Sequence, residues 1–150
     1  CDTGNRRRGK AKKGTVKMNP LEKITVGVTG EKETVVRPEL TVGHFVPGMP
    51  LVYGTPLMIM LMEMTAGGSI APLLPDGWVS VGTEVNIRHL AATPVGRTVR
   101  ATSRVISLGP ASVEFAVEAY EGTRKIGDGT HRRGVVEVAA FEKRFGVTKS

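Results

Sequence analysis

One cysteine in 150 residues, Cys1, excludes an intramolecular disulfide and a cysteine-based metal site, and it fits the reducing cytoplasm. No apolar run approaches the roughly 20 residues that a membrane-spanning helix needs. His44, His89 and His131 are scattered, and no set of His, Cys, Asp and Glu has the spacing of a metal site. A phosphate-cradling glycine loop, a Gly-x-Ser-x-Gly elbow and a dinucleotide fingerprint are all missing. A metal or nucleotide enzyme is therefore set aside.

Charge is lacking where the net value of +7 would imply it. Arg6, Arg7, Arg8, Lys10, Lys12, Lys13 and Lys17 face Asp2 alone within residues 1–17, which leaves residues 18–150 almost neutral. Joined to Gly4, Gly9 and Gly14, this basic run buries too little surface to offset the entropy of ordering and is expected to be a mobile tail. It reads as residues upstream of a start at Met18, with a nucleic-acid arm or targeting signal as the functional alternative. At 40% hydrophobic residues the chain can bury one continuous core. Residues 18–150 are expected to form a single domain, with no nucleic acid and no membrane as partner.

Residues 24–28 and 33–36 are β-rich runs separated by Thr29, Gly30 and Glu31, a strand-turn-strand pattern. Gly43, Pro47, Gly48, Pro50 and Gly54 mark a loop over residues 43–55. A helix follows, with Thr55 as N-cap and Pro56 as its first residue; Gly67 and Gly68 offer an early end, Pro72 a later one. Its stretch from Leu57 to Met62 is apolar all round, the mark of a helix enclosed by other elements. Residues 78–90, 98–108, 112–120 and 124–138 are rich in Val, Thr and Ile, with turn signals between them, and read as four long strands of an antiparallel meander. One apolar helix wrapped by one antiparallel sheet is an α+β hotdog fold.

Glu63 stands out, flanked by Met62 and Met64 with no polar neighbour from Pro56 to Thr65. Burying an ionised carboxylate costs several kcal/mol unless it is paired, so Glu63 is either functional, a structural acid with a partner, or turned to a wet edge. His89 closes a strand face with Val85 and Ile87 and should look toward the helix; it is either a satisfied core histidine or a general base oriented by Glu63. Thr55 is an N-cap or, beside the open N-H groups of a helix start, a hydroxyl at an oxyanion site. Eight helical residues separate Thr55 from Glu63 by about 12 Å, too far for contact. A bend at Pro56, a second copy in a dimer, or His89 with a water must bridge them. Gly82 permits close backbone approach to a ligand or to the helix. His131, Arg132 and Arg133 form a basic group, read as edge-strand protection, with contact to a phosphate or a thioester as the alternative.

Taken together these residues resemble the fluoroacetyl-coenzyme A thioesterase-like family of hotdog thioesterases. The likeness is carried by Thr55 through Leu61, Met62 and Glu63; by Val81, Gly82 and Thr83; by His89 through Pro94; and by Gly127, Gly129, Thr130, His131 and Arg133, in matching order and spacing over residues 24–142. The resemblance implies hydrolysis of an acyl-CoA thioester to free acid and coenzyme A by Thr55, Glu63 and His89. It also implies that Gly82 and Arg133 line the substrate site, that no cofactor is needed, and that the protein is a homodimer, with further pairing into tetramers left open. Where fluoroacetyl-specific members cover the acyl pocket with aromatic side chains, this chain offers mainly Val46, Met49, Leu51, Leu57 and Met58, with Phe45 and Tyr53 nearby. A flexible Met-rich pocket suits a short or branched acyl chain. Two other readings stand beside hydrolysis: a hotdog dehydratase or hydratase, which would give an enoyl product instead of free thiol, and a non-catalytic acyl-CoA sensor.

Overall fold

The computed structural model describes residues 18–150, so the basic segment 1–17 lies outside the described residues. Five strands, β1 (Thr29–Val35), β2 (Trp78–His89), β3 (Thr98–Leu108), β4 (Ser112–Glu121) and β5 (Arg124–Glu137), accompany three helices, α1 (Val42–Phe45), α2 (Thr55–Ile70) and α3 (Val138–Phe145). In β4 every second residue, Val113, Phe115, Val117 and Ala119, is buried, and β3 repeats this with Val99, Ala101, Ser103 and Val105. Such alternation is what a sheet with one covered face requires. The cover is α2, whose Met58, Leu61, Met62, Thr65, Ala66 and Ile70 recur every three or four residues and are buried. Each large apolar side chain among them contributes about 1.5–3 kcal/mol. The result is the expected α+β hotdog architecture, one antiparallel sheet packed around a central helix.

Three local expectations change. The first hairpin is a single strand, because residues 29–31 pair with β3 instead of turning. A Cβ on Gly30 would meet Ser69 Cβ at 2.7 Å and the Thr65 carbonyl at 2.9 Å, so this glycine serves the close approach of β1 to α2. The meander covers only β3, β4 and β5: the sheet order is β1-β3-β4-β5-β2, and the chain leaving β2 crosses to the far side of the sheet. β2 therefore pairs with β5 on one side and has a free edge on the other. Finally, α2 starts at Thr55 with Gly54 as N-cap, and it continues through Gly67 and Gly68 to Ile70.

The segment Thr55–Leu73 is long and apolar enough, by length and composition, to cross a membrane, which the sequence reading had not allowed. In this fold it is the core helix, and a core helix passes the same test. The sheet does not enclose it fully, since Met60 and Met64 are about half exposed.

Candidate active site

The start of α2 is pinned by main-chain hydrogen bonds. Gly54 N-H donates to the Leu40 carbonyl at 2.9 Å and Tyr53 N-H to the Thr93 carbonyl at 2.8 Å, and the buried Tyr53 hydroxyl donates to the Leu57 carbonyl at 3.2 Å. Leu90 N-H, donating to the Ile126 carbonyl at 2.7 Å, fixes the end of β2. These ties bring Thr55 Oγ1 within 2.7 Å of His89 Nδ1. Burial lowers the His89 pKa from its ordinary value, and the Ala91 backbone pulls it back less. The ring is accordingly neutral at pH 7 and shares one hydrogen bond with the threonine hydroxyl through Nδ1, its direction set by the ring's tautomer. His89 Nε2 is buried and has no hydrogen-bond partner among the described residues. No side chain caps the start of α2, and a cleft of about 330 Å³ lined by Val42, Val52, Thr55, His89 and Leu90 opens beside it.

A second polar cluster forms further along α2. Arg133, on β5, donates from Nε to Ser80 Oγ at 2.7 Å and from Nη2 to the Ser80 carbonyl at 2.8 Å. Its Nη1 lies 3.1 Å from His131 Nε2, 3.5 Å from the Glu63 carbonyl and 3.8 Å from Glu63 Oε2. Burial lowers the Arg133 pKa while the Glu63 carboxylate raises it again, and the guanidinium stays charged at neutral pH. Two glycines make room. A Cβ on Gly82 would collide with the Glu63 carboxylate, and one on Gly67 would meet the Arg133 guanidinium at 3.1 Å. The Glu63 side chain is 37% exposed and opens into a groove of about 530 Å³ lined by Met60, Met64, Trp78, Val79 and Arg133.

Comparison with known proteins matches residues 36–139 to the family described as fluoroacetyl-CoA-specific thioesterase. The chain belongs to this family. It is 35% identical over 127 residues to the fluoroacetyl-CoA thioesterase of Streptantibioticus cattleyicolor, covering 81% of this chain and 91% of that one. A structure of a phenylalanine-to-alanine variant of a fluoroacetyl-CoA-specific thioesterase with fluoroacetate and CoA superposes with a TM-score of 0.73 at 35% identity, covering 79% of this chain and 99% of that one. A thioesterase superfamily member from Thermus thermophilus superposes with a TM-score of 0.77 at 34% identity, over 83% of this chain and 93% of that chain.

Within this family member, the five residues singled out from sequence fall into two groups. Thr55 and His89 meet; Glu63, Gly82 and Arg133 meet; no hydrogen bond joins the groups. Glu63 is turned to a partly wet edge, the third of its sequence readings, and its charged partner is Arg133, with His131 beside it, instead of His89. Arg133 is not edge protection, because β5 lies inside the sheet and the side chain is 13% exposed. The pleat splits the basic group, sending His131 and Arg133 inward and Arg132 outward to Glu84 and Glu114. His131, fully buried and 3.7 Å from Glu63 Oε2, is the site residue to which sequence reasoning gave no role of its own. Its i, i+2 spacing from Arg133 was the available signal. Met58 packs in the core, whereas Phe45, Val46, Met49 and Leu51 are exposed around the loop before α2.

Proposed function

We propose that this protein hydrolyses small acyl-CoA thioesters to free acid and coenzyme A, acting as a cytoplasmic homodimer in which each site draws on both copies. The observation that carries the reading is the Thr55–His89 hydrogen bond at an uncapped helix start, in a chain of the fluoroacetyl-CoA-specific thioesterase family. A thioester carbonyl in the adjoining cleft would have its oxygen near the helix N-terminus, where charge developing on that oxygen is stabilised. Neutral His89, as Thr55's acceptor, orients the hydroxyl toward the carbonyl. Glu63 supplies the carboxylate, either attacking the carbonyl carbon to give an anhydride or taking a proton from the attacking water. In both routes the C-S bond breaks and coenzyme A leaves as thiolate; in the first a water then cleaves the anhydride to free acid and restores Glu63, and in both the proton given up by the water ends on the thiolate.

Two groups about 12 Å apart along one helix cannot serve one carbonyl, and the free edge of β2 supplies the remedy. Antiparallel pairing of β2 with its copy about a twofold axis midway between Gly82 and His89, near Val85 and Asn86, sets Gly82 of one copy beside His89 of the other. Because Gly82 abuts Glu63, that pairing carries one copy's carboxylate toward the other copy's Thr55 and His89. The orphan His89 Nε2, the exposed Val79 and Val85 on the edge, and exposed Met60 and Met64 on α2 all favour it. The Met- and Leu-bearing loop before α2 fits a short or branched acyl group without demanding fluorine.

The test is release of free thiol from a panel of acyl-CoA esters by the wild type, Glu63→Ala and His89→Ala, each shown to be folded. Rapid wild-type release with large losses in both variants is expected. Saturable binding without release from any ester would overturn hydrolysis in favour of an acyl-CoA sensor.

A further inference from the structure

His131 contributes nothing to the reaction as set out above, yet it is 2% exposed and carries a titratable ring into the Glu63 cluster. Its Nδ1 lies 2.9 Å from the Glu84 carbonyl. A carbonyl only accepts, so Nδ1 holds the proton. Its Nε2 lies 3.1 Å from Arg133 Nη1; a guanidinium only donates, so Nε2 presents a lone pair. Both neighbours therefore demand the same neutral tautomer. The ring stacks on Phe115 of β4, with centroids 6.3 Å apart and planes 26° from parallel, which fixes its tilt.

We propose that His131 is a positioning residue: as a neutral acceptor it holds the Arg133 guanidinium in the orientation that faces the Glu63 carboxylate, and its protonation releases that hold. The proposal rests on the thioesterase reading of Glu63. Arg133 is gripped on one side by Ser80 and on the other by His131, which leaves Nη1 aimed at both Glu63 oxygens within reach, the backbone carbonyl and Oε2. Adding a proton to Nε2 replaces an accepted hydrogen bond by two cations 3.1 Å apart and turns a donor toward Glu63 Oε2, 3.7 Å away. The charged groups facing the ring are Glu63 from α2 and Arg133 from its own strand. β2 offers the Glu84 carbonyl while the Glu84 side chain pairs outward with Arg132, and β4 offers only Phe115. Burial lowers the His131 pKa most; the Glu84 carbonyl, next in size, raises it, while Arg133 lowers it further and Glu63 raises it least. The neutral form thus persists to below the ordinary histidine value.

His131→Phe keeps the stacking and the bulk but loses both hydrogen bonds. His131→Gln keeps an acceptor near the Nε2 position and does not titrate, and His131→Asn is too short to reach Arg133. With folding checked by melting temperature, thiol release is measured as kcat and KM across the acid pH range. The expected result is a kcat about 10- to 100-fold lower in the Phe and Asn variants, the worth of a hydrogen bond to a charged group, with KM little changed. The Gln variant should recover most of kcat and lose one proton from the order of its acid limb. Wild-type-like kcat in folded Phe or Asn variants would overturn the proposal. So would a Gln variant no better than Asn, or an acid limb of unchanged order. If Phe does not fold, Gln against Asn decides. No thiol release by the wild type would instead remove the thioesterase reading, and the positioning role with it.

Discussion

The start and the middle of α2 are built by opposite means. At its start, Thr55 and His89 share one hydrogen bond beside an open cleft, and His89 Nε2 is left without a partner. Two turns on, Arg133 is braced by Ser80 and His131 against Glu63, with Gly67 and Gly82 cleared to admit the charged groups. One cluster is a single pair and the other a braced network. The difference teaches that the charged half of the site is braced by several side chains, while the hydroxyl-imidazole half rests on one hydrogen bond.

The largest effects should come from removing either half. Glu63→Gln and His89→Ala are each expected to lower kcat by about 10²- to 10⁴-fold, and the double variant should be little worse than either single one, because groups that act as a unit do not add. Fully additive losses would show that the clusters work separately. Gly82→Ala comes next: its new Cβ must displace the Glu63 carboxylate, and a misplacement of that order lowers kcat by about 100-fold. Steady-state kinetics would check this, with Gly134→Ala, whose Cβ would meet only Thr83 Cγ2 at 3.3 Å, as a milder control.

The smallest effect is on stability. His89 and His131 both have pKa values lowered by burial from the ordinary 6.5. Below pH 6.5 the unfolded chain takes up protons at these positions before the folded chain does, so stability is full above that value and is lost as pH falls toward the folded-state values. The melting temperature should decline by a few degrees over that interval, and less steeply in His131→Gln. An identical decline in the variant would show that His131 is not shifted.

Much of this arrangement was legible in the sequence. The four long strands could be placed because β-branched residues alternate between clear Gly and Pro turns, and the core helix because Leu57 through Met62 are apolar on every side. Gly30, Gly67 and Gly82 show the limit. A glycine in a sequence signals either a turn or a close approach, and only Gly82 was given its second meaning; Gly30 and Gly67 serve Ser69 and Arg133 across the fold. His131 was lost for a related reason. Three adjacent basic residues look like one surface patch until strand pleating sends alternate members to opposite faces. The separation of Thr55 from Glu63 follows from the helix rise alone, but that His89 joins Thr55 and Arg133 joins Glu63 depends on how β2 and β5 lie in the sheet.

The most direct test of the account is complementation between Glu63→Ala and His89→Ala, each inactive alone, after unfolding and refolding together in equal amounts. If each site takes Glu63 from one copy and His89 from the other, mixed dimers contain one intact site, and the mixture should regain about a quarter of wild-type thiol release. Failure to regain activity, with mixed dimers shown to be present, would contradict a site shared between copies.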